Sequence, residues 1–315
     1  PDSTAVTLGG AVTADGVFFN GAGYTVSGGT LDTGPSGFVM AQPATVDASL
    51  TRLLVYGNAE LGIGGGGTVA GPAVIGRAGD NSRARQTGGD VTVSSWLLIG
   101  GNNAANAGGA YTLDSGTLTA SNGISVGWGF ATSVGAFTQN GGTVETLDNA
   151  QGLQLGRAGG NGAYTLNGGT LLSTFGTGST PYTNQTFTFG GGLFRARATT
   201  SAQAAMTTAI ADGQAARIDT QGYGVTFAGA ISGPAAAGLT KTGAGKLTLS
   251  TANTYAGVTL ISNGTLRVHN TSGSGTGAST VRVCDGATLD GTGTITGAVE
   301  VAAGDKQVAI PVVVE

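Results

Sequence analysis

One phrase recurs along this chain and limits what it can fold into. It is clearest as Gly162-Ala163-Tyr164-Thr165-Leu166-Asn167-Gly168-Gly169-Thr170-Leu171, and variants of it run from Gly23 to Leu31, from Ala110 to Leu118 and from Ala136 to Val144. In each copy apolar residues alternate with Thr, as in a half-buried strand. Small residues that tolerate positive φ follow, and a Thr-Leu or Thr-Val pair opens a second strand. The copies keep step: Thr117, Thr143 and Thr170 stand 26 and 27 residues apart, and Asp90 fills the same slot 27 before Thr117. A fixed period of this size predicts a solenoid, whose coils each touch only their neighbours and share one continuous core.

A second signature runs in phase with the first: Val74-Ile75-Gly76, Leu98-Ile99-Gly100, Ser125-Val126-Gly127 and Gln154-Leu155-Gly156, with glycines 24, 27 and 29 residues apart. The variable lengths that follow it place insertions such as Asp80 to Arg85 in loops on one side. A propeller blade needs about 40 residues, whereas a period near 26 fits three short strands in one coil, so parallel stacking is expected. Division by that period gives about 12 coils, a single elongated body about 60 Å long at the usual strand spacing. Thr199 to Asp212 contains the helix-like Ala202-Gln203-Ala204-Ala205-Met206, but its Thr content and strand-like flanks favour β structure over a helix.

The 61 glycines would point to disorder if they were scattered, but here they separate strand-like runs and act as turn residues. Charged residues are 10% of the chain, against about 25% in ordinary soluble domains. A neutral polar surface suits stacked coils, where like charges repel and Thr, Ser and Asn ladders hydrogen-bond. The net charge of −4 offers no basic footprint for nucleic acid. No run of about 18 apolar residues is present to span a membrane. Cys284 is the only cysteine, so no intrachain disulfide forms. The chain begins at Pro1 without a basic-then-apolar leader, as a processed chain or a fragment would.

Residues 238–268 carry a resemblance to a known family. Leu239-Thr240-Lys241-Thr242-Gly243-Ala244-Gly245-Lys246-Leu247-Thr248-Leu249 is followed by Asn253-Thr254-Tyr255-Ala256-Gly257 and then by Asn263-Gly264-Thr265-Leu266. In order and spacing this resembles the passenger-associated repeat of bacterial autotransporters, a resemblance that covers about residues 186–302 strongly and the rest of the chain by style alone. The resemblance implies a right-handed parallel β-helix exported across a Gram-negative outer membrane, secreted or held at the cell surface. It also implies that the C-terminal coils assist folding during export. The translocating barrel of that family is not represented in these residues. Either it has been left out, or the repeat serves a protein exported by another route.

Four regions are therefore expected: capping and first coils over 1–60, regular repeats over 61–185, autotransporter-like coils over 186–302 and an apolar terminal strand over 303–315. In the last, Val308, Ile310, Val312, Val313 and Val314 form an edge suited to docking on another chain. Trp96 and Trp128, with Phe130 and Tyr182, could stack on sugar rings or fill the coils, and Arg77 and Arg157 occupy equivalent slots that could bind an acidic glycan or solubilise the loop side. Asp114, Glu145 and Asp148 fall on neighbouring coils, where a polysaccharide-cleaving site would place carboxylates, but they adjoin turn signals. His269 and Cys284 have no partners for a triad or a zinc site, Gly64 to Gly67 lacks the Lys of a phosphate loop, and the turns lack the Asp of calcium repeats. No cofactor, metal or catalytic residue is expected. The leading expectation is a non-enzymatic surface protein for adhesion, biofilm or filament-like assembly, partnered by a cell surface, a glycan or other copies of itself. The alternatives are a polysaccharide-binding or polysaccharide-degrading β-helix and a self-polymerising fibre subunit.

Overall fold

In the computed structural model each phrase forms a strand, a tight turn and a second strand. Gly108–Leu113 leads through Gly116 into Thr117–Ala120, and Val134–Gln139 leads through Gly142 into Thr143–Thr146. Gly116 and Gly142 have φ of 88° and 65°, values that side-chain-bearing residues rarely adopt. The structure describes residues 5–15, 17–19, 24–28, 31–33, 38–40, 44–46, 53–55, 60–63, 67–69, 71–76, 79, 81–101, 105–176, 184–302 and 313–314. Among these, every element is a strand.

The chain divides into two units, residues 1–164 with 177–185, and residues 165–176 with 186–315. In the first, one coil comprises Asn81–Gln86, Asp90–Val93 and Trp96–Ile99, and the next comprises Gly108–Leu113, Thr117–Ala120 and Gly123–Val126. All three strands pair in parallel with their counterparts, and Asp90 stands opposite Thr117 and Thr117 opposite Thr143, as the repeat spacing requires. The fold is a parallel β-solenoid. Alternate residues point inward, so Tyr111 and Phe137 stack at 5.1 Å and Phe137 and Tyr164 at 4.7 Å, with interplanar angles of 19° and 12°. Offset stacking of this kind adds to the area that each ring buries.

The signature glycines close each coil. Gly76, Gly100, Gly127 and Gly156 all have positive φ. A Cβ on Gly127 would lie 1.8 Å from the carbonyl oxygen of Asn161, and one on Gly100 would lie 1.9 Å from that of Val134. At these corners the backbone of a later coil passes where a side chain would otherwise stand.

Two expectations are corrected. Asn81–Gln86 is a strand rather than a loop, with Ser82, Ala84 and Gln86 buried and Asn81, Arg83 and Arg85 exposed. Its period of 2 was hidden because the inward positions hold small or polar residues instead of the usual aliphatics. The number of coils departs slightly from the dozen expected, and the step between coils is not constant. Paired residues lie 20 apart at Leu53 and Ala73, 29 apart at Ile124 and Leu153, and 18 apart at Val281 and Val299.

The second unit repeats the scheme on shorter coils. Leu193–Ala196, Ala215–Asp219, Gly238–Thr242, Thr259–Ile261, Val281–Val283 and Val299–Val301 stack in parallel along one face. The ambiguous stretch after Thr199 is β structure, Thr200–Ala202 and Thr207–Ile210, with Met206 buried between them. Phe175, Phe187, Phe189, Phe194 and Phe227 fill the interior here, Phe175 stacking on Phe194 at 5.0 Å. Among the described residues no helix is long and apolar enough to cross a membrane.

Candidate functional site

The strand ending in the signature has both of its faces buried. Leu97 and Ile99 point into the coil, while Leu98 faces outward with Leu54 and Val74, and Trp96 and Trp128 pack against that outer row. Trp96 stands opposite Gly123, and its ring lies 3.3 Å from where a Gly123 Cβ would be, so the indole lies across a gap left for it on the next coil. Trp128 and Arg157 follow Gly127 and Gly156, the turns that redirect the chain over this face.

Three of the sequence candidates thus come together. The Arg157 guanidinium lies over the Trp128 ring at 5.0 Å and over the Trp96 ring at 5.8 Å, within cation–π range. Arg157 Nη1 donates to Gln154 Oε1 at 3.1 Å, and Gln154 Nε2 donates in turn to Gln151 Oε1 at 2.8 Å. Arg157 Nε and the neighbouring Ser125 Oγ are buried without a hydrogen-bond partner. A guanidinium already seated over both indoles competes with any sugar ring for those faces. Arg77, Val308, Ile310 and Val312 lie outside the described residues, as does Tyr182. Val313–Val314 pairs in parallel with Thr294–Ile295. Phe130 is exposed.

The carboxylates take up positions on turns and between coils. Asp114 accepts from Asn140 Nδ2 at 2.8 Å and from Arg85 Nε at 2.7 Å, linking three successive coils, and these two donors hold its carboxyl below the usual range. Asp148 Oδ1 accepts from the backbone N–H groups of Ala150 and Gln151, an Asx turn. Glu145 sits opposite Thr119 in its strand. Other charges are paired across coils as well: Arg195 with Asp219 at 2.9 Å, Arg267 with Asp290 at 2.6 Å and Arg282 with Glu300 at 2.9 Å. His269 Nδ1 and Thr292 Oγ1 are 2.9 Å apart, Cys284 is a free thiol, and among the described residues no three His, Cys, Asp or Glu side chains gather as a metal site would require.

Sequence reasoning missed Lys241. It occupies an inward column between Ile218 and Ile261, is fully buried, and its Nζ donates to the carbonyls of Thr242 at 2.8 Å, Gly243 at 2.7 Å and Asn263 at 2.9 Å. Burial pulls its pKa down to about 8, and the charge of nearby Asp219 acts the other way. Buried Asn253 works similarly: its Oδ1 accepts from the Ile231 N–H at 2.7 Å and its Nδ2 donates to the Gly275 carbonyl at 2.5 Å, joining the coils on either side. The only sequence signal for either role was membership of the recurring motif.

No curated protein and no solved structure is found to match the chain. A family profile described as Passenger-associated-transport-repeat does match, over residues 239–268, which hold Lys241, Asn253 and the buried Tyr255. That repeat and the parallel solenoid around it fit an autotransporter passenger.

Proposed function

We propose that this protein is a secreted or surface-held β-solenoid of a Gram-negative-type bacterium, working without catalysis in adhesion, biofilm or filament-like assembly. The observation that carries this reading is the passenger repeat at 239–268, set among coils whose lateral faces are continuous parallel sheets. The disposition of charge supports it. Asp114, Asp148, Asp219 and Asp290 are engaged in turns and cross-coil pairs, so these carboxylates are already committed to holding the stack. Repetitive lateral faces present the same chemistry many times over, which suits multivalent contact with a surface.

The test is to couple the purified full chain to beads and to measure their attachment to bacterial cells and to abiotic surfaces, alongside incubation with soluble polysaccharides. Attachment above that of blank beads, with polysaccharide chain length unchanged, is expected. Shortening of a polysaccharide without attachment would overturn the reading in favour of an enzyme.

A further inference from the structure

The second unit carries a groove of about 660 Å³ that the functional reading does not use. It crosses several coils at the corner where the chain enters the sheet of Ala215–Asp219, Gly238–Thr242 and Thr259–Ile261. Its floor is a column of small residues, with Ala215 standing opposite Gly238. The fold itself enforces this, since a Cβ on Gly238 would lie 2.6 Å from the Val258 carbonyl oxygen. One wall carries Arg217, and the Gln214 amide reaches over the floor, its Oε1 2.6 Å from where a Gly191 Cβ would be. Ser279 adds a hydroxyl at the far end.

Arg217 breaks a pattern. Arg195, Arg267 and Arg282 each face a carboxylate on the next coil, but the register sets the exposed Arg217 between Leu193 and Thr240, neither of which can pair with it. Among the described residues, it is the one arginine that lines the groove.

We infer that this groove binds an acidic glycan, a chain bearing uronate carboxylates, with Arg217 taking the carboxylate and Gln214 and Ser279 the hydroxyls. Charge complementarity selects an acid, and a guanidinium fork matches a planar carboxylate. A neutral sugar is disfavoured because, among the described residues, no aromatic ring lines the groove to stack on. An extended peptide is disfavoured because the floor strands are paired on both sides, leaving no free edge for strand addition. The inference deepens the surface reading above and rests on it only for the exposure of this face to glycans.

The experiment is calorimetric titration of the full chain with oligogalacturonate, with its methyl-esterified form and with an acidic peptide of equal charge. It is repeated on Arg217→Gln and on Arg282→Gln, whose arginine is paired with Glu300 away from the groove. Binding of the free acid is expected to fall at least tenfold in Arg217→Gln. It should persist in Arg282→Gln and weaken with salt. Absence of binding, equal binding by Arg217→Gln, equal binding of the ester, or tighter binding of the peptide would each overturn the inference. Failure of these titrations with bead attachment by the full chain intact would remove the groove from the account while leaving the surface reading in place.

Discussion

The coils around Tyr111 to Tyr164 and those around Lys241 to Asn270 reach the same parallel geometry by different means. In the first region like lies over like. Tyr111, Phe137 and Tyr164 stack face on face, and a buried glutamine below each tyrosine closes the arrangement, Tyr111 Oη donating to Gln86 Oε1 at 2.8 Å and Tyr164 Oη to Gln139 Oε1 at 2.6 Å. The glutamine amides then donate to turn carbonyls, Gln86 to Gly89 and Thr117, and Gln139 to Gly142. Such stacking requires a near-constant step on the stacked face, where paired residues are 26 or 27 apart, and the longer step of 29 between Ile124 and Leu153 falls on another face.

In the second region the step shortens, to 20 between Leu239 and Thr259 and to 19 between Leu247 and Leu266. Several backbone carbonyls here are satisfied by side chains from within the coil. Buried donors take over that duty: the Lys241 ammonium, the Asn253 amide, and the Asn270 amide, which donates to the carbonyls of Ser272 and Gly273. In the regular region neutral glutamines, capped by stacked tyrosines, satisfy the inner carbonyls, while in the short-coil region an ammonium and asparagine amides do so.

The largest expected effect strikes the regular region at its corners. Gly127→Ala forces a side chain into the Asn161 carbonyl and should destabilise by about 4 kcal/mol or more. Gly213→Ala, with comparable φ and nothing within 4 Å, should lose only about 1 kcal/mol, the strain of a left-handed residue. Chemical denaturation of the two variants separates corner crowding from backbone conformation.

Lys241→Met comes next. It keeps an apolar stem but takes the ammonium away from three backbone carbonyls, of which Thr242 alone still accepts from Thr220, for an expected loss of about 3 kcal/mol in the same experiment. A loss under about 1 kcal/mol would mean that the clamp is dispensable.

The same lysine gives the short-coil region its own pH response. Its folded pKa of about 8 lies below the ordinary 10.5, so between these values the unfolded chain holds more protons and stability rises with pH. The gain from pH 8 to 10 should approach about 2 kcal/mol and be lost as pH falls back through 8. Lys241→Met should abolish it. The window closes near 10 because Tyr111, Tyr164 and Tyr255, held above that value by burial, begin to oppose folding beyond it.

Tyr164→Phe should cost about 1.5 kcal/mol, less than loss of the lysine clamp, since the ring stack survives while the hydrogen bond to Gln139 is removed. A loss comparable to that of Lys241→Met would show the regular region to depend on its polar pairs as much as the compressed one does.

Much of this was legible in the chain itself. The spacing of Asp90, Thr117 and Thr143 is the register of the sheet, and the signature glycines mark corners because only a missing side chain fits there. What escaped reading are polar residues with inward roles. Gln86, Gln139 and Lys241 look like surface residues in a list, and only the coil around them supplies the carbonyls they satisfy. The strand Asn81–Gln86 was hidden for the same reason, with charges outward and Ser82 and Gln86 inward. The meeting of Trp96, Trp128 and Arg157 is long-range, set by two turns 29 residues apart that bring separate coils over one face. No local pattern announces such a meeting.

The central claim is that coils lie parallel with corresponding residues of the repeat in register. Nitroxide labels at positions 90 and 117, and separately at 117 and 143, in a Cys284→Ser background test it directly by continuous-wave electron paramagnetic resonance. Adjacent parallel strands about 4.8 Å apart predict strong dipolar broadening in both pairs, and a 90 and 143 pair, two spacings apart, should be broadened less. Narrow spectra from 90 with 117 and from 117 with 143, indistinguishable from the sum of single labels, would contradict the stacked register.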